Sequence, residues 1–264
     1  MRIAHLSDPH LARRPGWGEL NLKRLLGFAN QALIRGRRHS EARAAEAVRR
    51  LAASPPDLAI LTGDIAQHGL ASEFAAAEEM LAPLAAAGVP VLAVGGNHDF
   101  YGGAPPADLA RLGRRLSLGL RAGSDGVVRL PGVEILLLEQ AAPSWPFFSG
   151  GSQKLEELTR AAAAWAGPPE GVMRLAAGHY PVIDAPGLPP FFRSRLAGAE
   201  KLADFFRRTG VSGYFCGHRH LSRVTDLPGG CRQFMAPALP SAGSAGVTIY
   251  ECGSDLSHPI PQPP

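Results

Sequence analysis

Cysteine is scarce in this chain: Cys216, Cys231 and Cys252 are the only three among 264 residues. Their number is odd and no two are spaced as CxxC, which excludes a disulfide framework and a cysteine zinc site and leaves buried, reduced thiols as the expectation. Also missing is any run of about 18 apolar residues free of charges or breaks, so no membrane-spanning helix is expected. Met1 leads almost directly into a first apolar strand, leaving no room for a cleavable signal peptide, and a cytoplasmic protein is expected. Neither a zinc-finger nor an RNA-binding signature accompanies the net charge of +4 and the pI near 9.2. Nucleic acid is therefore not indicated, and the basic balance suits a small anionic substrate. No internal repeat is visible.

Against these absences stand five short motifs: SDPHL at 7–11, TGDIA at 62–66, GGNHDF at 95–100, AGHYP at 177–181 and CGHRH at 216–220. They carry eight side chains able to bind a metal or move a proton, namely Asp8, His10, Asp64, Asn97, His98, His179, His218 and His220. Each motif follows a short apolar run, at 2–6, 58–61, 91–94, 174–176 and 214–216. Such runs are long enough for a strand and too short for a helix, so buried strands are expected. Ligands in open α/β sheets gather outside the carboxyl ends of the strands, so these five should deliver all eight side chains to one rim.

Helices are expected between the strands. Residues 40–53 open with Ser40 as a cap and a glutamate in the first turn, and the alanine-rich run 71–87 is ended by Gly88. Residues 154–166 and 197–208 read as two more. Segments 126–130 and 133–139 flank Pro131 and Gly132 as a hairpin, which brings antiparallel strands into a βαβ pattern and calls for a mixed sheet or two sheets. A last strand is expected at 247–252, before a proline-rich tail at 253–264. The 45% apolar content can supply a core. Because the motifs span residues 8 to 220, one domain covering 1–264 is expected.

Asp, Asn and neutral His together make a mixed oxygen and nitrogen ligand set that suits Mn, Fe, Zn, Co or Ni better than Ca or Mg. There are too many ligands for one ion. A pair of ions about 3.5 to 4 Å apart is the arrangement that clamps an attacking and a leaving oxygen, and a carboxylate can bridge it. Coordination lowers the pKa of water to about 7, so hydroxide is available at neutral pH and no Ser or Cys nucleophile is required. Hydrolysis of a phosphate ester is the natural reaction, and a histidine left free of metal would serve the leaving oxygen.

The ordered series DPH, GD, GNHD, GH and GHRH, running from Ile3 to His220, resembles the calcineurin-like metallophosphoesterase superfamily. Spacing and the GNHD form are most similar to small bacterial enzymes that resemble class III cyclic nucleotide phosphodiesterases. The resemblance implies an α/β fold, a four-layer αββα sandwich of two mixed β-sheets flanked by helices. It implies two divalent or trivalent transition-metal ions, with Mn or Fe favoured and Zn an option. One would take Asp8, His10, bridging Asp64 and His220, and the other Asp64, Asn97, His179 and His218. His98 would stay free to protonate or stabilise the leaving oxygen, and Asp99 would either orient its ring or act as a structural hydrogen-bond acceptor. After Gly63 and Asp64 the chain reads IAQHG and lacks the DRG continuation of the phosphoprotein phosphatase branch, so a protein substrate is disfavoured.

Further residues bear on specificity. His68 could face substrate, although a surface loop histidine is the plainer expectation. Arg193 and Arg195, in the loop DAPGLPPFFRSR at 184–195, could bind a second phosphate or carboxylate; PSWPFFSGG at 143–151 adds aromatic side chains. His5, His39 and His258 have no motif context. Residues 13–50 carry ten Arg or Lys against three Glu. Within that stretch Leu22, Leu25, Leu26, Ala29 and Leu33 fall at helical spacing, giving a basic amphipathic insertion that packs on the fold, touches an anionic membrane from the inner face or guides anionic substrate into the cleft. The favoured function is hydrolysis of a small phosphodiester of the cyclic nucleotide or glycerophosphodiester type. The alternatives are a lipid or nucleotide-sugar-lipid pyrophosphatase, a phosphomonoesterase or nuclease, and a non-catalytic scaffold, which the full ligand set argues against. A homo-oligomer is left open.

Overall fold

The computed structural model describes residues 1–24, 40–103, 107–144, 148–167, 171–184, 194–242, 246–252 and 260–262. Along the chain, β1 (Arg2–Leu6) is followed by α1 (Glu41–Ala53), β2 (Leu58–Thr62), α2 (Ala71–Ala86), β3 (Val91–Val94) and α3 (Ala107–Leu116). Then come β4 (Val127–Leu130), β5 (Val133–Leu137), β6 (Gly151–Ser152), α4 (Leu155–Ala164), β7 (Met173–Ala177), β8 (Leu196–Ala197), α5 (Ala199–Thr209) and β9 (Val211–Cys216). The chain closes with β10 (Arg223–Asp226), β11 (Arg232–Met235), the short α6 (Leu239–Ala242), β12 (Thr248–Glu251) and β13 (Ile260–Gln262).

The strands form two mixed sheets in the orders β13-β12-β1-β2-β3 and β10-β11-β9-β7-β5-β4, with β6 and β8 paired apart from both. In the first, β1, β2 and β3 run parallel while β12 and β13 are antiparallel additions. In the second, β5, β7, β9 and β11 run parallel and β4 and β10 are antiparallel edges.

The period-two alternation of strand side chains sorts the apolar residues into three cores. Ala4, Leu6, Ala59 and Leu61 face α1, α2 and α3, where Val48, Phe74, Leu81 and Leu112 meet them. Ile3, Leu58 and Ile60 point the other way, onto Ile135, Leu175, Phe215 and Phe234 of the second sheet. The far side of that sheet, through Leu136, Ala176, Tyr214 and Cys216, packs on Leu158, Leu202, Phe205 and Phe206 of α4 and α5. The order is helix, sheet, sheet, helix, as the family resemblance implied. A fully buried Leu or Phe stabilises by roughly 1.5–3 kcal/mol, so the apolar halves of the strands fix this layering.

Ser40 caps α1 by accepting from the Arg43 N–H, and Gly88, at φ +76°, turns the chain after α2. The helix expected at 197–208 starts at Ala199, because Leu196 and Ala197 instead pair with Gly151 and Ser152. The tail also differs from expectation: Ile260–Gln262 adds an edge strand to β12, a place where proline is tolerated because no further strand needs its N–H. No helix among the described residues is long and apolar enough to cross a membrane. Of the basic insertion, the described parts are a 3-10 turn at Trp17–Glu19, the residues up to Arg24, and α1; Leu25, Leu26, Phe28, Ala29, Leu33 and His39 lie outside the described residues, as does His258.

Candidate metal centre

Six non-glycine residues have a positive φ among the described residues, and five of them belong to the motifs: Asp8 (51°), His10 (48°), Asp64 (50°), His218 (68°) and His220 (57°). A left-handed backbone costs an L-residue roughly 1–2 kcal/mol. Such strain persists where the surroundings over-determine it. Here the loop after β1 is laced to the loop after β2: the N–H groups of Asp8, His10 and Leu11 donate to the carbonyls of Gly63, Asp64 and Ile65 at 3.0–3.1 Å. The sheets are joined at the same rim, since His179 after β7 donates from Nδ1 to the Thr62 carbonyl at 2.7 Å.

Two motif glycines make room for this. A Cβ on Gly96 would run into Asp64, and one on Gly217 would run into Ser7 Oγ and Asp8 Oδ2. The glycines before the ligands are therefore set by side chains arriving from other strands.

The ligand atoms converge in overlapping groups: Asp8, His10 and His220; Asp64, His179 and His218; and His10, Asp64 and His98. In the first, His10 Nε2 lies 2.9 Å from His220 Nε2, and Asp8 Oδ1 is 3.2 Å from His220 Nε2 and 3.6 Å from His10 Nε2. In the second, His179 Nε2 is 3.2 Å from His218 Nδ1. Asp64 Oδ2 stands between them, 3.8 Å from His10 Nε2 and 3.5 Å from His179 Nε2. Asp64 Oδ1 accepts from the His98 N–H at 2.8 Å.

This donor set fits a pair of cations. Asp8 Oδ1 and Asn97 Oδ1 are buried with no hydrogen-bond partner among the described residues, an expensive state for an acceptor unless an ion takes it up. Second ring nitrogens are already anchored, His179 Nδ1 on Thr62 and His218 Nε2 on the Ser194 carbonyl at 3.0 Å, which aims the other nitrogen inward. Electrostatics agree. Burial pushes Asp64 upward, yet the imidazoles of His179, His98 and His10 hold it well below the ordinary carboxylate range. His179 is penalised by burial but drawn up to about 9 by Asp64, whereas burial and then His179 push His218 down to about 3. The pocket calls for positive charge, and a metal cation supplies it while leaving each ligating imidazole neutral.

His98 donates from Nδ1 to the Gln67 carbonyl at 2.8 Å, so Nε2 is the atom presented beside Asp64 and His10. Asp99 accepts from Ala66 N–H at 2.7 Å and Gly96 N–H at 2.8 Å, tying two motif loops together, while burial and then Asp64 raise it to about 7. His68 departs from the surface position expected of it. It is fully buried, with Nδ1 2.8 Å from Glu73 Oε1, and Glu73 also accepts from the N–H groups of His68, Leu70 and Arg13. Arg195 is half exposed and 3.9 Å from Asp184; Arg193 lies outside the described residues. All three cysteines are free and buried, Cys216 within β9.

Several residues around the centre were not singled out from sequence. Tyr101 stacks on His98, and Lys23 Nζ lies 4.7 Å from the centre of the Tyr101 ring while donating to Ser144 Oγ at 2.7 Å. Asn21 donates to the Tyr101 carbonyl and Arg24 to those of His68 and Gly69, so the start of the basic insertion docks on the site rim. Gln140 Oε1 accepts from the N–H groups of His179 and Tyr180, and Arg219 pairs with Asp184 at 2.7 Å through two nitrogens. Tyr101 follows the GGNHDF motif directly and was findable by that adjacency; Gln140 and Lys23 carry no such signal.

A family model described as calcineurin-like phosphoesterase matches residues 1–222. The chain belongs to this family. Calcineurin-like phosphoesterases use dinuclear metal centres, and the groups Asp8, His10, His220 and Asp64, His179, His218 are where this member can hold one. Among solved structures, it is similar to a dimetal phosphatase from Danio rerio, with a TM-score of 0.66 and 15% identity over 96% of this chain and 92% of the other. It is also similar to a purple acid phosphatase from yellow lupin seeds (TM-score 0.59, 11% identity, 98% of this chain and 52% of that one). A third is a protein of Thermus thermophilus, TT1561 (TM-score 0.55, 12% identity, 99% and 97%). These likenesses carry the phosphoesterase fold. Among curated proteins none matches the chain.

Proposed function

We propose that the protein is a metal-dependent phosphodiesterase acting on a small molecule of the cyclic nucleotide or glycerophosphodiester type. The observation that supports this is that His98 falls in one group with His10 and Asp64, each of which belongs to another ligand group as well. Asp8, His10, Asp64 and His220 would hold one ion, and Asp64, Asn97, His179 and His218 the other. Bound there, such a pair supplies positive charge over the phosphoryl oxygens and a water whose pKa is lowered to about 7.

The remaining steps belong to side chains. The Gln67 carbonyl keeps a proton on His98 Nδ1, so donation from Nε2 requires the imidazolium. His98 then gives its Nε2 proton to the leaving alkoxide, the poorest part of a diester substrate, and Tyr101 holds the imidazole in place by stacking.

The test is a hydrolysis screen of metal-stripped protein reloaded with Mn, using a chromogenic diester, the matching monoester and a pyrophosphate-linked lipid precursor. Preference for the diester is expected; activity confined to the lipid precursor, or none with bound metal, overturns the reading. A lipid-directed reading has one observation in its favour: Leu20, Leu22 and Phe148 are exposed beside the docked Lys23. Flotation with anionic liposomes decides it, since a protein that stays at the bottom has no membrane face.

A further inference from the structure

His5 lies three residues before the first ligand, wholly buried between the two sheets with its ring edge-on to Phe215 at 5.1 Å. A buried histidine in such a place is ordinarily a core residue that satisfies one neighbour. Here the neighbour leads elsewhere. His5 Nε2 is 3.0 Å from Thr62 Oγ1, Thr62 Oγ1 is 2.8 Å from Ser7 Oγ, and Ser7 Oγ is 2.5 Å from Asp8 Oδ2.

The direction of this chain follows from its last member. A carboxylate only accepts, so Ser7 donates to Asp8. With its hydrogen committed, Ser7 Oγ accepts from Thr62. Thr62, its own hydrogen committed, accepts from His5. His5 is then the Nε2–H tautomer, and its Nδ1 is the atom with no partner among the described residues. The competing contacts, Ser7 Oγ to the Thr62 carbonyl at 3.3 Å and Thr62 Oγ1 to the Leu6 carbonyl at 3.4 Å, are longer. At the far end Asp8 Oδ2 also receives the His218 N–H at 3.1 Å. Oδ2 is therefore taken by two donors, and Oδ1 is the oxygen turned to His10 and His220.

We propose that His5 is a positioning residue for the metal centre: its Nε2–H heads a buried hydrogen-bond chain through Thr62 and Ser7 that fixes Asp8 Oδ2 and so commits Oδ1 to the pocket of His10 and His220. All four residues are fully buried, so solvent has no ready route to replace a missing donor. The inference rests on the metal-centre reading of the previous subsection, but the chain can be judged without it.

Two measurements test it. Long-range 15N–1H correlation spectra of the metal-stripped protein at neutral pH should show His5 protonated at Nε2 and bare at Nδ1; a proton on Nδ1 overturns the chain. Calorimetric titration with Mn2+ should then show one of two binding events weakened about 10- to 100-fold in His5→Phe, the range expected when a ligand's own partner is lost. Thr62→Val should weaken the same event, and the double variant should be no worse than either single, because both break one chain. His5→Gln, which returns an amide N–H near the lost one, should recover much of the affinity. Folded variants that bind both ions as wild type does, or losses that multiply in the double variant, refute the proposal. If His5→Phe does not fold, Ser7→Ala takes its place in the cycle. Wild-type protein that binds no Mn2+ sinks the metal reading, and the tautomer spectrum still decides the chain.

Discussion

Tyr101 lies face to face with His98, ring centres 4.6 Å apart and planes inclined by 22°, with the Tyr101 hydroxyl 3.4 Å from His98 Nε2. The ring contact, rather than the hydroxyl at that distance, should orient the imidazole. Tyr101→Phe is therefore expected to keep most of kcat, while Tyr101→Ala lowers kcat about 10-fold without loss of bound metal, less than the roughly 10²-fold or more expected when the proton donor itself is removed. Steady-state kinetics on Mn-loaded protein separate the two variants, and equal rates for Phe and Ala count against the stack.

Gly217 predicts a different kind of loss. A Cβ there meets Ser7 Oγ and Asp8 Oδ2 and pushes on the carboxylate that the first ligand group needs. Gly217→Ala should lose metal from that group and melt at lower temperature even when metal-free. Metal analysis after gel filtration is the check, and full occupancy would show that the loop yields.

Acid stability should report on His5. Burial pushes this imidazole from its ordinary 6.5 down to about 3 in the folded protein. Between those values the unfolded chain binds a proton that the folded chain refuses, so stability falls as pH drops from about 6.5 towards 3. His5→Phe removes this contribution. Urea midpoints of metal-stripped protein at pH 7 and pH 4 should therefore fall less in the variant than in wild type; an equal fall contradicts the assignment.

The docking of Lys23 beside Tyr101 bears on substrate entry. Burial lowers its ammonium to about 8, with attraction from Asp64 opposing the shift, so its charge is felt at the centre. Lys23→Ala should raise KM severalfold and leave kcat nearly unchanged, because the residue touches the rim and not the ligands. A fall in kcat alone would place it in the chemistry instead.

Much of this was legible in the sequence because strand and ligand come together in it. Apolar runs such as 58–61 ending in GD announce both the buried strand and the residue at its carboxyl end, and the five left-handed ligands sit where those strands stop. Elements without that signal were missed. Three of the four residues of β10 are exposed, leaving no alternation to read, and α3 hides behind Gly113 and four charged residues, with Leu112 and Leu116 as its buried contacts. The supporting chain of His5, Thr62 and Ser7 was invisible for another reason. Its residues are ordinary polar neighbours in sequence, and only the parallel pairing of β1 with β2 brings Thr62 beside them. His68 lies buried, against the surface position expected of it, and nothing local shows that Glu73, five residues on, pairs with it.

The most direct test of the account is His98→Ala, read for bound metal and for turnover of a chromogenic diester on the same Mn-loaded sample. Two ions per chain, with kcat reduced by about 10²- to 10⁴-fold, is the predicted result for a proton donor that holds no metal. Wild-type turnover with both ions bound would contradict the role given to His98, and loss of an ion would make it a ligand instead.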